Sequence, residues 1–103
     1  MNRFEVATGP SQTVRSIAEF AVRLRESAPA ECVVIDVAEL SDVDLSFVQL
    51  VEVARRDALL TGKTIQLSAP APERLKSLLE RCGYVASATP DDLAFWFQGE
   101  IVQ

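Results

Sequence analysis

The side chains best suited to chemistry are carboxylates, because the chain contains no histidine. Asp36 follows an apolar segment, Asp42 and Asp44 lie in an acidic turn, and Asp91 and Asp92 are adjacent. A carboxylate that acts as a general acid or base needs a partner group at a defined spacing, and histidine is the commonest one. No such partner stands near these residues at motif spacing. Asp36 is therefore interpreted as a strand-end residue, and Asp91 and Asp92 as turn residues.

The cysteines and glycines also lack the spacing that known sites require. Cys32 and Cys82 lie far apart and form no Cys-x-x-Cys pair, so neither a redox motif nor a zinc site is indicated. The four glycines stand alone, which leaves no glycine-rich loop to hold a phosphate. We therefore expect a protein that is not an enzyme and binds no metal or cofactor, with two packed thiols in a reducing compartment.

Length and charge narrow the class further. The chain has 103 residues, the size of one domain, and 49% of them are hydrophobic. Its net charge of −5 argues against nucleic acid or an anionic membrane surface as the main partner. The sequence contains no apolar run near the roughly 18 residues of a membrane span, and its start lacks the apolar segment of a signal peptide. These features predict a cytoplasmic protein without membrane insertion.

The apolar pattern alternates between strands and helices. In order it predicts a strand over 3–7, a helix over 12–27, a strand over 32–37, a helix after Asp44, a strand over 64–68, a helix ending at Gly83 and a last strand over 93–97. This order predicts an α/β fold with a mostly parallel (mixed) sheet of about four strands, flanked by helices. The run at 32–37 barely alternates, so we expect that strand to be central and buried on both faces.

Four segments between residues 33 and 84 together resemble one family. They are the apolar strand ending in Asp36, the segment Val43-Asp44-Leu45-Ser46-Phe47, the strand from Gly62 to Pro70, and the helix end over 75–84. In this order they resemble the STAS domain family, which includes the anti-sigma factor antagonists. The resemblance implies a single small domain that acts as a non-catalytic docking module in bacterial signalling and transcription regulation. Its partner would be an anti-sigma factor or a kinase.

The resemblance also implies a partner-binding site after the second predicted strand. In the best-known members, a kinase phosphorylates the serine or threonine directly after a motif aspartate and so releases the complex. Asp44 matches that aspartate, Leu45 occupies the acceptor position, Ser46 matches the second hydroxyl position, and Phe47 replaces a small residue. These four residues are the implied contacts, with Ser46 as a possible phosphorylation site. Because Leu45 has no hydroxyl, we expect binding without kinase control of this chain, or with control acting on the partner.

The same residues also have a purely physical interpretation. Asp44 can cap the helix that follows, because its side chain can accept hydrogen bonds from unpaired amides at the helix start. Ser46 in the first turn is expected to face solvent. Helical spacing places Leu45 and Phe47 on different sides, so we expect one to pack inward and the other to be exposed.

Three alternatives remain open. The chain could be an accessory STAS subunit of a lipid-transport or membrane-transporter complex, bound to a transporter component. From other classes, a receiver-like phosphoacceptor would need an acidic pair after its first strand and a lysine on a late strand, and neither is present in place. A nucleotide-binding protein would need a phosphate loop.

The last predicted strand, over 93–97, places Phe95 and Phe97 on one face and Trp96 on the other. As an edge strand it could contribute to a homodimer or partner surface.

Overall fold

The computed structural model describes residues 3–98, which form five strands and four helices. In chain order they are β1 (Arg3–Ala7), β2 (Ser11–Gln12), α1 (Ile17–Glu26), β3 (Cys32–Asp36), β4 (Asp42–Val43), α2 (Leu45–Thr61), β5 (Thr64–Leu67), α3 (Glu73–Arg81) and α4 (Pro90–Phe97). The predicted α/β class is confirmed.

Two small parallel sheets organise the strands. The main sheet has the order β1-β3-β5, and β2 pairs with β4 in a second sheet of two residues per strand. The central position of β3 confirms the prediction drawn from its apolar run, since residues 32–35 are all buried. The helix expected after Asp44 is also confirmed, because α2 begins at Leu45.

One hydrophobic core joins the main sheet to all four helices. The register aligns Val6 with Ile35 and Ile35 with Leu67, so these side chains share one face of the sheet. From the helices, the core takes Phe20 and Leu24 of α1, Phe47, Val48 and Val51 of α2, Leu75 and Leu79 of α3, and Trp96 and Phe97 of α4. The helices therefore pack on that face, and the carboxyl ends of β1 and β3 lead into the loops before α1 and α2.

The longest helix, α2, has a defined stop. Gly62 follows it in the left-handed region with φ of 73°, which a residue without a Cβ adopts at little cost. The Lys63 N–H then donates to the Ala58 carbonyl at 2.9 Å and satisfies one of the last free carbonyls. The prediction that Gly62 ends this helix is confirmed. Among the described helices, none is both long and apolar enough to cross a bilayer.

The last predicted strand is wrong, because residues 90–97 form helix α4. Thr89 caps this helix through a reciprocal capping box: its hydroxyl accepts from the Asp92 N–H at 3.2 Å, and the Asp92 carboxylate accepts from the Thr89 N–H at 3.0 Å. Pro90 occupies the first turn, where its missing N–H costs nothing. The main sheet consequently has three strands among the described residues, and Asp92 is a capping residue rather than a turn residue.

Two smaller expectations also need correction. Helix α1 begins at Ile17 instead of residue 12, because Ser11 and Gln12 extend and pair with β4. Cys32 is buried as expected, but Cys82 is exposed. Cys82 is the C-cap of α3, where the chain leaves the helix before Gly83, so its thiol does not pack inward.

Candidate functional site

The site implied by the sequence lies where two short segments meet at the start of α2. We call residues 11–14 and 42–46 the junction. Ser11 pairs with Asp42 and Gln12 with Val43 in the two-residue sheet, and the Ser11 hydroxyl lies 3.2 Å from a carboxylate oxygen of Asp42. This pairing fixes the turn before α1 against the turn before α2.

The Asp44 carboxylate holds the junction together. Its Oδ1 accepts from the Ser46 N–H at 3.0 Å and from the Ser46 hydroxyl, which caps α2. Its Oδ2 accepts from the Val14 N–H at 2.9 Å, across thirty positions of sequence. The capping role predicted for Asp44 is confirmed. Its bond to Val14 was missed, because nothing local in the sequence marks residue 14 as a donor.

These hydrogen bonds lower the pKa of Asp44, the bond from the Ser46 side chain first and the bond from the Val14 amide next. A carboxyl whose pKa is lower in the folded state stabilises the fold at pH values above its unfolded pKa. That contribution is lost as the pH falls through the folded-state pKa. At neutral pH, Asp44 therefore holds both turns as a carboxylate.

Leu45 and Phe47 lie on opposite sides of α2, as helical spacing predicts. Phe47 is completely buried and packs against Phe20, with ring centroids 5.8 Å apart. Leu45 is 44% exposed, and Val14, whose amide is bonded to Asp44, is 73% exposed. The junction thus displays apolar side chains around an ordered carboxylate. The buried ring of Phe47 takes no direct part in that surface.

Ser46 differs from the expectation that its hydroxyl faces solvent. The residue is half-buried, and its Oγ donates to Asp44. A phosphate on Ser46 would break this bond and place about −1.5 to −2 charges beside the Asp44 carboxylate. The favourable field of the helix start would act against that repulsion. None of the junction residues is a lysine or an arginine that could pair with the phosphate.

A second set of exposed apolar side chains lies between the middle and the carboxyl end of α2. Val53, Leu59 and Leu60 are exposed, and Leu59 is 81% exposed. Val53 also lines a groove of about 380 Å³ between α1 and α2, together with Leu24, Val33, Leu50 and Ile65 among other residues. This surface provides exposed apolar positions on the same helix against which the junction can be tested.

A polar network between α2 and α4 was not predicted from the sequence. Oε1 of Glu52 accepts from Arg55 at 2.9 Å, from Nε1 of Trp96 at 3.0 Å and from the hydroxyl of Tyr84. Arg55 also donates to Asp92 at 3.1 Å and lies over the ring of Phe95, 4.5 Å from its centroid. The network fastens α4 to α2, and every polar group in it has a partner.

The titration of this network argues for a structural role. Burial raises the pKa of Tyr84 to about 12, and its hydrogen bond to Glu52 adds to the effect. The amide of Thr89, followed by Arg55, lowers the pKa of Asp92. Both shifts move these groups away from neutrality, whereas a general acid or base works best with a pKa near the working pH. Neither Tyr84 nor Asp92 is therefore poised for proton transfer near neutral pH.

We expect the single tyrosine to titrate near pH 12 in the folded protein, about two units above an ordinary phenol. Glu52→Gln should lower that midpoint, because it removes the carboxylate that holds the phenolic proton, but burial should keep it above 10. Since the folded-state pKa is raised, the stabilisation is present below about pH 10 and is lost as the pH rises to about 12. Ultraviolet absorbance of the phenolate during an alkaline titration measures the midpoint.

Glu80→Gln is the matched control for this titration. Glu80 is an exposed carboxylate on α3, outside the network, so its loss should leave the Tyr84 midpoint unchanged. A wild-type midpoint near 10 would contradict the network, as would equal effects of the two substitutions. Circular dichroism at each pH separates titration of folded protein from unfolding.

The remaining candidates for chemistry have structural partners. Oδ1 of Asp36 accepts from the Ala38 N–H at 3.0 Å and from the Ser68 hydroxyl at 3.3 Å, so it orders the turn after β3. Within residues 3–98, no group of three or more cysteine or acidic side chains is placed to hold a metal ion. The interpretation of Asp36 as a strand-end residue agrees with these contacts.

Comparisons with known proteins place this chain in no family. No protein-family model, curated protein or solved structure matches it significantly.

Proposed function

We propose that this protein is a non-catalytic docking module of bacterial signalling in the cytoplasm, similar to an anti-sigma factor antagonist, and that it binds a partner protein through the junction. The observation that carries the proposal is the exposure of Leu45, which follows Asp44 in the chain, and of Val14, whose amide is bonded to the Asp44 carboxylate. Apolar anchors beside a fixed polar group are typical of protein-binding sites. The STAS-like order of segments around the junction supports the same function.

The rigidity of the junction favours docking without a large rearrangement. Asp44 ties the turn before α1 to the start of α2, so the backbone that presents Leu45 and Val14 is fixed before a partner arrives. A preorganised surface avoids part of the entropy cost of ordering a loop on binding. In this proposal, Asp44 positions the contact residues, Leu45 provides the contact, and Phe47 anchors α2 to the core.

The absence of a hydroxyl at Leu45 supports partner binding that phosphorylation of this chain does not control. Charge added at Ser46 would lie beside both the apolar Leu45 and the Asp44 carboxylate, and would weaken an apolar contact. Ser46→Asp should therefore reduce partner affinity. Ser46→Ala should change it little, because Asp44 keeps its bonds from the Ser46 and Val14 amides. Reversible phosphorylation of Ser46 that controls binding in cells would contradict this part of the proposal.

A photo-cross-linking residue placed at Leu45 is expected to capture a partner that the same residue at Leu59 does not. Both leucines are exposed on α2 but lie at opposite ends of the helix. With the captured protein purified, Leu45→Ser should weaken binding about ten- to hundredfold, the loss expected when one leucine is no longer buried. The affinities can be measured by calorimetry.

Leu59→Ser is the control and should change the affinity by less than about twofold. The proposal fails if Leu59→Ser weakens binding while Leu45→Ser does not, because the partner would then use the other end of α2. The identity of the captured protein decides between an anti-sigma factor, a kinase and a transporter component.

A further inference from the structure

The outer edge of β1 is a surface separate from the junction and from the exposed apolar side chains of α2. Within residues 3–98, β1 pairs with β3 on one side, and no described strand pairs with its other side. An edge strand presents a row of backbone N–H and C=O groups that can pair with another chain. Of its five residues, Val6 alone is buried.

The hydrogen bonds of β1 show which groups point outward. The Thr8 N–H donates to the Asp36 carbonyl at 2.9 Å, so residue 8 faces β3. Successive residues of a parallel strand direct their backbone N–H and C=O groups to opposite sides. The backbone groups of Arg3, Glu5 and Ala7 therefore point away from β3. The Ala7 carbonyl accordingly accepts from the Arg23 guanidinium at 2.8 Å. Arg23 occupies that end of the edge, and within residues 3–98 the outward backbone groups of Arg3 and Glu5 have no hydrogen-bond partner.

We propose that β1 pairs with β1 of a second copy of this chain, antiparallel and centred on Phe4. This register sets Arg3 of each copy opposite Glu5 of the other. Both residues direct their backbone groups outward, so both pairs can form ladder hydrogen bonds. The charges in each pair are opposite, which stabilises cross-strand neighbours.

Phe4 occupies the centre of this register. A residue between two hydrogen-bonded pairs sits at the position where opposite side chains come closest in an antiparallel ladder. Phe4 is 40% exposed, and pairing would cover each ring with the other. Aromatic pairs across strands are among the favourable ones.

Neighbouring registers are disfavoured by charge. Opposed residues of an antiparallel pair direct their side chains to the same face of the sheet. The helices of both copies therefore lie on one face only if the register is centred on a residue, and not between two residues. Centring on Glu5 sets the two glutamates against each other, and centring on Arg3 does the same with the arginines. Centring on Val6 pairs Glu5 with Ala7, whose carbonyl is already bonded to Arg23.

Charge reversal tests the dimer and its register together. Sedimentation velocity of the full-length chain over a concentration series should show a monomer–dimer equilibrium for the wild type. Arg3→Glu and Glu5→Arg should each raise the dimer dissociation constant about tenfold or more, since like charges then face each other at both pairs. An equimolar mixture of the two variants should form a heterodimer, because every pair across the interface is again opposite in charge.

Arg74→Glu and Glu80→Arg make the same changes of charge on exposed positions of α3 and should leave the dimer dissociation constant unchanged. A wild-type chain that stays monomeric throughout the series overturns the proposal. So does a dimer that both β1 variants leave intact, or two monomeric variants that fail to associate when mixed. Circular dichroism of each variant confirms that it is folded.

Discussion

Phe47→Ala is expected to lower the free energy of unfolding by about 3–5 kcal/mol, whereas Leu45→Ala should lower it by less than about 1 kcal/mol. Phe47 is completely buried against Phe20, so its removal leaves a cavity in the core. Leu45, two residues earlier, already has a large part of its side chain in water. Urea unfolding followed by circular dichroism measures both changes.

The comparison separates folding from docking at the junction. Leu45→Ala should impair partner binding in a protein of nearly normal stability, and Phe47→Ala should impair stability first. Phe47→Gly would cost about 1 kcal/mol more in helix propensity, which makes it a poor probe of binding. Similar losses of stability for Leu45→Ala and Phe47→Ala would show that α2 is rotated relative to the core and would contradict the assignment of Leu45 to the surface.

The central part of the fold could be predicted because its signals are local. A nearly continuous apolar run specifies β3, an aspartate opens α2, and Gly62 closes it. Helical spacing also predicted that Leu45 and Phe47 point to different sides. It could not decide which of them is buried, because that depends on Phe20 and the sheet, which the spacing of two residues does not describe.

The last element shows how two local signals can conflict. Residues 93–97 are rich in aromatic side chains, which favour strands. Thr89, Pro90 and Asp92 carry the signature of a helix start, and each satisfies or avoids an unpaired amide there. The structure follows the capping signal. Propensity across five residues is weak, whereas the capping box provides two specific hydrogen bonds.

The network around Glu52 could not be predicted from spacing at all. Glu52 and Arg55 are neighbours on α2, but Trp96 lies 44 positions from Glu52 in the sequence. A strand over 93–97 does not place Trp96 near α2. In sequence alone, the carboxylate of Glu52 therefore resembles any other charge on a solvated helix face.

The second large effect is expected from Trp96→Ala, which should lower the free energy of unfolding by about 3–5 kcal/mol. Trp96 is completely buried, its ring packs edge-on against Tyr84 and Phe95 with centroids 6.1 and 5.0 Å away, and its Nε1 donates to Glu52. A domain is stable by only about 5–15 kcal/mol, so this one change removes a large share. Circular dichroism during urea unfolding is the readout, because the substitution removes the only tryptophan.

Three further variants identify the cause of the loss. Trp96→Phe keeps most of the buried ring but deletes the N–H, and should cost about 1–2 kcal/mol, because Glu52 keeps its bonds from Tyr84 and Arg55. Phe97→Ala should cost clearly more than Phe95→Ala, since helix α4 buries Phe97 and leaves Phe95 half-exposed. A strand over 93–97 would instead place Phe95 and Phe97 on one face and make their losses alike. Equal losses at 95 and 97, together with a loss below about 1 kcal/mol for Trp96→Ala, would contradict the packing of α4 against α2.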